Sequence, residues 1–238
     1  MPDFTELKQK HRATWASGDY NQIAQGIQAV ADHVVRSGRI RAGERVLDIA
    51  CGTGNTALMA RARSAAVTGL DLTPELLAIA QKRAAEEGYG DITWKAGDAE
   101  DLPFPDGTFD VVVSSCGLMF APDQQKVANE VARVTKRGGR IAIQAWTRES
   151  GVGRMFKVTG AYVPPPVGVP SPFEWGDEGK VRRCSVLRFG TTGSNGTTAR
   201  NTRTPPNSLP TCSSINTGLL TAPTMHSRPR RRLHSAKT

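Results

Sequence analysis

Apolar positions along this chain change their period several times, and the changes divide it into elements. From Tyr20 onward Ile23, Ile27, Val30 and Val34 recur at helical spacing with Gly38 as a stop, and a charged stretch from Thr5 to about Trp15 precedes them across Gly18. Two N-terminal helices are therefore predicted. A short run of Val46, Leu47, Ile49 and Ala50 then reads as a buried strand broken by Gly52 and Gly54, with a helical pattern from Ala57 to Arg63 behind it. Val67 to Asp71, Ile92 to Ala96, Phe109 to Ser115 and Arg140 to Trp146 repeat the strand signature. Thr73 and Pro74 open a helix whose apolar face is Leu76, Leu77, Ala80 and Ala84. Asp123 opens another, with Val127, Val131 and Val134 inward and Lys136, Arg137 and Gly138 at its close. Strands alternating with helices specify an α/β, doubly wound, mainly parallel Rossmann-like sheet in three α-β-α layers. Ligands of such sheets sit beyond the carboxyl ends of the strands.

The periodic signal decays past Gly151, where Val163 to Pro170 reads as a stiff, proline-rich loop, a connector or a lid. Charge then changes the picture. The chain carries 31 basic and 22 acidic residues, but ten of the basic and none of the acidic ones lie beyond residue 180. The first 180 residues are thus nearly neutral, and the excess that would suggest nucleic acid belongs to the last quarter alone. The expected organisation is a domain over 1–180, with N-terminal helices 1–38, a core 39–150 and a connector 151–180. A basic, disordered or frameshifted tail follows over 181–238, in which only Cys184 to Phe189 looks like a strand. Four cysteines without paired spacing, no signal-peptide pattern and no long apolar run make a cytoplasmic setting the expectation.

Candidate chemistry gathers at the glycine turn. Gly52, Gly54 and Ala57 fit G-x-G-x-x-A, and Asp71 lies 19 positions beyond Gly52, a pattern that by itself suggests NAD and an oxidoreductase. Two acids point elsewhere. Asp48 stands in the strand just before the turn, where a nicotinamide-binding strand is apolar, and Asp98 stands at the end of the third strand.

Val46-Leu47-Asp48-Ile49-Ala50-Cys51-Gly52-Thr53-Gly54, Gly69-Leu70-Asp71, Gly97-Asp98-Ala99-Glu100-Asp101-Leu102-Pro103-Phe104, Phe109-Asp110-Val111-Val112 and Arg137-Gly138-Gly139 together resemble the class I S-adenosylmethionine-dependent methyltransferases. Within them the look is of the small-molecule branch of ubiquinone and menaquinone biosynthesis, over roughly residues 10–178. The resemblance implies S-adenosylmethionine as cofactor, a small-molecule methyl acceptor and in-line displacement at the sulfonium methyl. It assigns Ala50, Cys51, Gly52 and Gly54 to the methionine portion, Asp48 to its amino group, Asp71 to the ribose hydroxyls and Leu72 to the adenine face. Asp98 would accept from the adenine amino group and the Ala99 N–H would bond a ring nitrogen. Ser115 and Cys116 would line the site near the methyl group, with Trp15 and Tyr20 over the cofactor.

Each residue also has a plainer reading. Asp71 could cap a helix beside Thr73, Asp98 could belong to a turn, Cys116 could be a small buried hydrophobe, and Trp15 could anchor a helix. His11 is a conceivable base and equally a solvated helix histidine. No metal cluster is visible in the sequence, and a membrane is not an expected partner. The acid-free end departs from the family, whose sheet continues through two more strands. With those strands missing or replaced, the chain would keep binding residues and lose catalytic competence. The remaining alternative to an enzyme is a binding module whose Arg228 to Arg232 cluster meets nucleic acid.

Overall fold

The computed structural model describes residues 3–177, 179, 188–191 and 197–200. Five parallel strands, β1 (Arg45–Ile49), β2 (Ala66–Asp71), β3 (Thr93–Ala96), β4 (Phe109–Ser115) and β5 (Thr135–Gln144), stand in the order β3-β2-β1-β4-β5. The chain reverses its direction of travel across the sheet at β1, so β1 and β4 are neighbours whose connections diverge. A crevice opens at their carboxyl ends.

Alternation along β1 places its side chains on opposite faces. Val46 joins Val34, Val35, Leu58 and Val111 against α3 (Gln28–Ser37) and α4 (Asn55–Arg61), whereas Leu47 and Ile49 join Val112, Val127, Val131 and Trp175 beneath α6 (Gln124–Val134). Asp48 has the same parity as Val46 and therefore turns toward the start of α4. Leu47 and Ile49 are wholly buried, and each such side chain stabilises the fold by roughly 1.5–3 kcal/mol.

The helix α5 (Pro74–Glu86) buries Leu76, Leu77, Ala80 and Ala84 as its pattern predicts. Asp123 caps α6 by accepting from the Lys126 N–H at 2.9 Å. Other expectations are corrected. The segment before β1 forms three helices, because after α1 (Thr5–Ala16) the run from Tyr20 breaks at Ile27, with φ −116° and ψ 22°, into α2 (Tyr20–Gly26) and α3. Gly26 just before the break weakens the helix there, and Ile23 is left 62% exposed. The strand β5 begins at Thr135, where the pattern predicted the end of a helix. Lys136 bonds Asp110 Oδ1 at 2.6 Å and a bulge follows through Gly138, so the basic turn belongs to the sheet edge. The expected connector contains α7 (Gly151–Gly160), and Phe173 and Trp175 return from it to the core.

Two four-residue strands, β6 (Arg188–Thr191) and β7 (Thr197–Arg200), extend the order as β5-β7-β6, with β7 antiparallel to β5 and β6 antiparallel to β7. Segments of the acid-free tail thus cover the edge of β5. Of the expected strand across Cys184 to Phe189, Arg188 and Phe189 lie in β6 and Cys184 to Leu187 lie outside the described residues; a second strand follows where none was expected. The disorder and changed frame expected for the rest of 181–238 concern residues outside the described ones. No helix among the described residues is long and apolar enough to cross a membrane.

Candidate active site

Three backbone positions in the turn after β1 are left-handed, Ala50 at φ 53°, Gly52 at 54° and Gly54 at 90°. Gly52 suits its position because a side chain at that φ would be strained, although a Cβ there would meet only the Tyr20 ring, at 3.4 Å. Ala50 carries a side chain in a region that costs about 1–2 kcal/mol. Cys116 does the same at φ 59° after β4. Gly117 faces Ala50 so closely that a Cβ would stand 2.6 Å from the Ala50 oxygen. Strained backbone at facing strand ends marks the crevice as functional ground.

Two connected hollows occupy it. The larger, about 770 Å³, is roofed by Lys8, His11 and Trp15 of α1 and walled by Tyr20, Asp71, Leu72, Asp98, Ala99, Cys116 and Phe120. The smaller, about 420 Å³, contains Asp48, Cys51, Thr53, Asn55 and Ser115. Tyr20, Ala50, Gly52 and Gly117 line both, and form the junction. Every residue singled out from the sequence reaches one hollow or the other except Gly54. Its absent Cβ would be 3.0 Å from Trp94 and 3.1 Å from Ala80, so Gly54 seats the turn on those residues from behind.

The acids differ in how they are held. Asp71 is buried and bridges two loops: Oδ2 accepts from the Gly52 N–H at 2.7 Å and Oδ1 from the Thr73 N–H at 2.8 Å. Burial raises its pKa, with these amides pulling against the rise. Asp48 is 1% exposed and neither carboxylate oxygen has a hydrogen-bond partner of good geometry. Its pKa is driven well above the usual range by burial, with Asp71 adding to the rise and the Ala57 amide opposing it. A buried carboxyl without a partner is costly, and it faces the smaller hollow. Asp98 is ion-paired: Oδ2 accepts from Lys8 Nζ at 2.6 Å and Oδ1 from the Glu100 N–H at 2.8 Å.

The remaining groups are electrically quiet. Burial pushes the Cys116 thiol up to about 12 and raises the Tyr20 phenol, so both stay protonated near neutrality. His11 is lowered by burial and is therefore neutral at pH 7. Rings of Trp15 and Tyr20 meet edge to face at 5.4 Å, and Trp15 also meets Phe120 at 5.1 Å, giving the roof an aromatic wall. Among the described residues no three His, Cys, Asp or Glu side chains group as a metal site would require.

Several members escaped the sequence reading. Lys8, His11 and Trp15 recur at three- and four-residue steps and so share a face of α1, a spacing that could have revealed Lys8. Arg83 donates to the Thr53 oxygen at 2.6 Å and to Asn55 Oδ1 at 2.9 Å, while Asn55 Nδ2 donates to the Ala24 oxygen at 2.7 Å. This network ties the turn to α5 and α2, and no local pattern signals it.

Residues 47–143 match the family described as a methyltransferase domain. Two uncharacterized proteins of Mycobacterium tuberculosis are similar over most of this chain. One is 45% identical over 173 residues, 72% of this chain and 63% of its own length. The other is 41% identical over 189 residues, 79% of this chain and 68% of its own. A demethylmenaquinone methyltransferase of Thermus thermophilus is 41% identical over 105 residues, 43% of this chain and 47% of that protein. Among solved structures, the YcgJ protein of Bacillus subtilis superposes with TM-score 0.51 at 31% identity, covering 60% of this chain and 62% of its own.

Proposed function

This chain belongs to the methyltransferase-domain family, and we propose that it transfers the methyl group of S-adenosylmethionine to a small molecule by in-line displacement. The observation that carries the reading is Asp48, a buried carboxyl whose oxygens lack a hydrogen-bond partner of good geometry, in a hollow that shares its lining with the open cleft walled by Asp71, Leu72 and Asp98. A cationic amino group in the smaller hollow would supply the missing partner and draw the carboxyl into its ionised form. The same carboxyl disfavours NAD, whose pyrophosphate at the turn would meet a like charge.

Asp71 lines the larger hollow, and the two oxygens of its carboxylate suit a pair of ribose hydroxyls. Leu72 offers an apolar face for adenine, Asp98 an acceptor for its amino group, and the Ala99 N–H a donor to a ring nitrogen. S-adenosylmethionine brings an already activated methyl group, so the chain's task is alignment and exclusion of water. Tyr20, Ala50 and Gly117, at the junction of the hollows, stand where the acceptor meets the methyl group. An acceptor that must lose a proton finds one neutral base on the cleft wall, His11. Cys116 lines the wall as a neutral thiol.

The aromatic wall of Trp15, Tyr20 and Phe120 favours a flat, largely apolar acceptor. Likeness to the Thermus enzyme supports a quinone-type substrate over the part of the chain that aligns. The free, buried Cys51 and Cys116 suit a reducing, cytoplasmic setting. The test is transfer of label from methyl-labelled S-adenosylmethionine to a panel of quinols and phenols. Label on an acceptor, abolished in Asp48→Asn, supports the reading, and a chain that neither binds the cofactor nor moves label contradicts it.

A further inference from the structure

The helix α1 buries none of its residues, yet it roofs the larger hollow. Its hold on the body is concentrated at Lys8. The Lys8 ammonium is shared between Asp98 Oδ2 at 2.6 Å and Glu100 Oε2 at 2.5 Å. Glu100 is 3% exposed, and its other oxygen accepts from the Asp123 N–H at 2.8 Å, where α6 begins. An exposed pair, Arg12 with Glu75 at 3.3 Å, and the ring contacts of Trp15 add to this hold.

Asp98 is therefore held on both sides. Lys8 takes one oxygen and the Glu100 amide the other. With both bonds in place its carboxylate cannot rotate, and the lone pairs left over have one fixed direction. Burial works against the Lys8 charge, but hydrogen bonds to the two acids outweigh it and its pKa is raised, so the clamp persists across the working pH range.

Resting on the S-adenosylmethionine reading above, we propose that Lys8 is a positioning and specificity-determining residue for the purine: by clamping Asp98 between itself and the Glu100 amide, it presents a fixed acceptor to a 6-amino purine and turns away a 6-oxo purine. A 6-amino group gives that acceptor a donor. A 6-oxo group faces it with a second acceptor, leaving two oxygens opposed in a half-buried site. Without Lys8 the carboxylate swings, water enters beneath α1, and the two purines are treated more alike.

The experiment is calorimetric titration of the full chain with S-adenosylhomocysteine and with its 6-oxo analogue, S-inosylhomocysteine. The wild type should prefer the amino compound by roughly 10- to 100-fold. Lys8→Met should still bind but lose most of that ratio, and Lys8→Arg should restore it in large part. Should Lys8→Met fail to fold in a thermal melt, Lys8→Gln, whose uncharged amide stops one atom short of the lysine nitrogen, carries the same expectation of a reduced ratio. Loss of affinity for both compounds by the same factor would mean that Lys8 only ties down α1, and would overturn the proposal. So would a Lys8→Met ratio equal to the wild type's. A wild-type chain that binds neither compound overturns the cofactor reading itself, and a wild type that binds both equally overturns the role of Lys8 alone.

Discussion

Asp71 reaches back across 19 positions of sequence to accept the Gly52 N–H at 2.7 Å, so the end of β2 fixes the glycine turn after β1. Because its other oxygen takes the Thr73 N–H, no neutral isostere can replace it. Asp71→Asn must aim an amide NH2 at one of two backbone donors. The variant should lose about 1–3 kcal/mol of stability and bind S-adenosylmethionine at least about tenfold more weakly. Paired thermal melts and titrations check both effects together, and wild-type values for either would contradict the bridging role.

Asp48 should show the opposite relation between stability and function. Burial raises its native pKa above the ordinary 3.8, so the folded, ligand-free chain keeps a proton that the unfolded chain releases. Stability then falls as pH rises from the unfolded toward the native pKa. Asp48→Asn escapes this loss. It should melt higher than the wild type at neutral pH, by about 2–4 °C for each kcal/mol in a chain of this size, while losing most of its affinity for the cofactor. A lower melting point with full affinity would contradict it.

The three acids at strand ends were legible in the sequence because β1, β2 and β3 are short runs that end where the ligand must sit. Their states were not. Asp71 is bridged to the turn because Gly52, 19 positions away, comes to rest beside it, Asp98 is clamped because Lys8, 90 positions away, does so, and Asp48 is left without such a partner. The parallel core was readable from its apolar runs. The break at Ile27 follows Gly26, which a hydrophobic period passes over, whereas the strand that starts at Thr135 and the pair β6 and β7 depend on partners distant in sequence. The Lys8 clamp is of the same kind: spacing put Lys8 on the face of His11 and Trp15, but only the fold brings Asp98 to it.

Gly117 is a sharper test of the junction than any polar residue. Its missing Cβ would stand 2.6 Å from both the Cβ and the oxygen of Ala50, itself left-handed, so Gly117→Ala should cost about 1–3 kcal/mol and weaken cofactor binding through the displaced turn. Gly90, which has nothing within 4 Å of its missing Cβ, is the control. Gly90→Ala should stay within about 0.5 kcal/mol of the wild type and bind normally.

The pH dependence of methyl transfer separates the two acceptor-side candidates. Burial holds His11 below its ordinary 6.5 and lifts Cys116 to about 12. Burial is the cause that acts on His11, and the Lys8 charge beside it is taken up by Asp98 and Glu100. Turnover with a phenolic acceptor should rise as pH climbs through a value below 6.5 and show no thiol limb near the usual value of about 8.5. His11→Asn should flatten the acidic limb and Cys116→Ala should leave the profile unchanged. A limb that vanishes with Cys116 and survives loss of His11 would reverse the assignment.

On the function proposed above, the turn after β1 and the acids beside it form a cradle for S-adenosylmethionine. The decisive experiment is calorimetric titration of that cofactor into the full chain, with NAD in a parallel cell. A single site for S-adenosylmethionine, weakened in Asp48→Asn, is expected, with no heat of binding from NAD. Saturable binding of NAD with none for S-adenosylmethionine would contradict it.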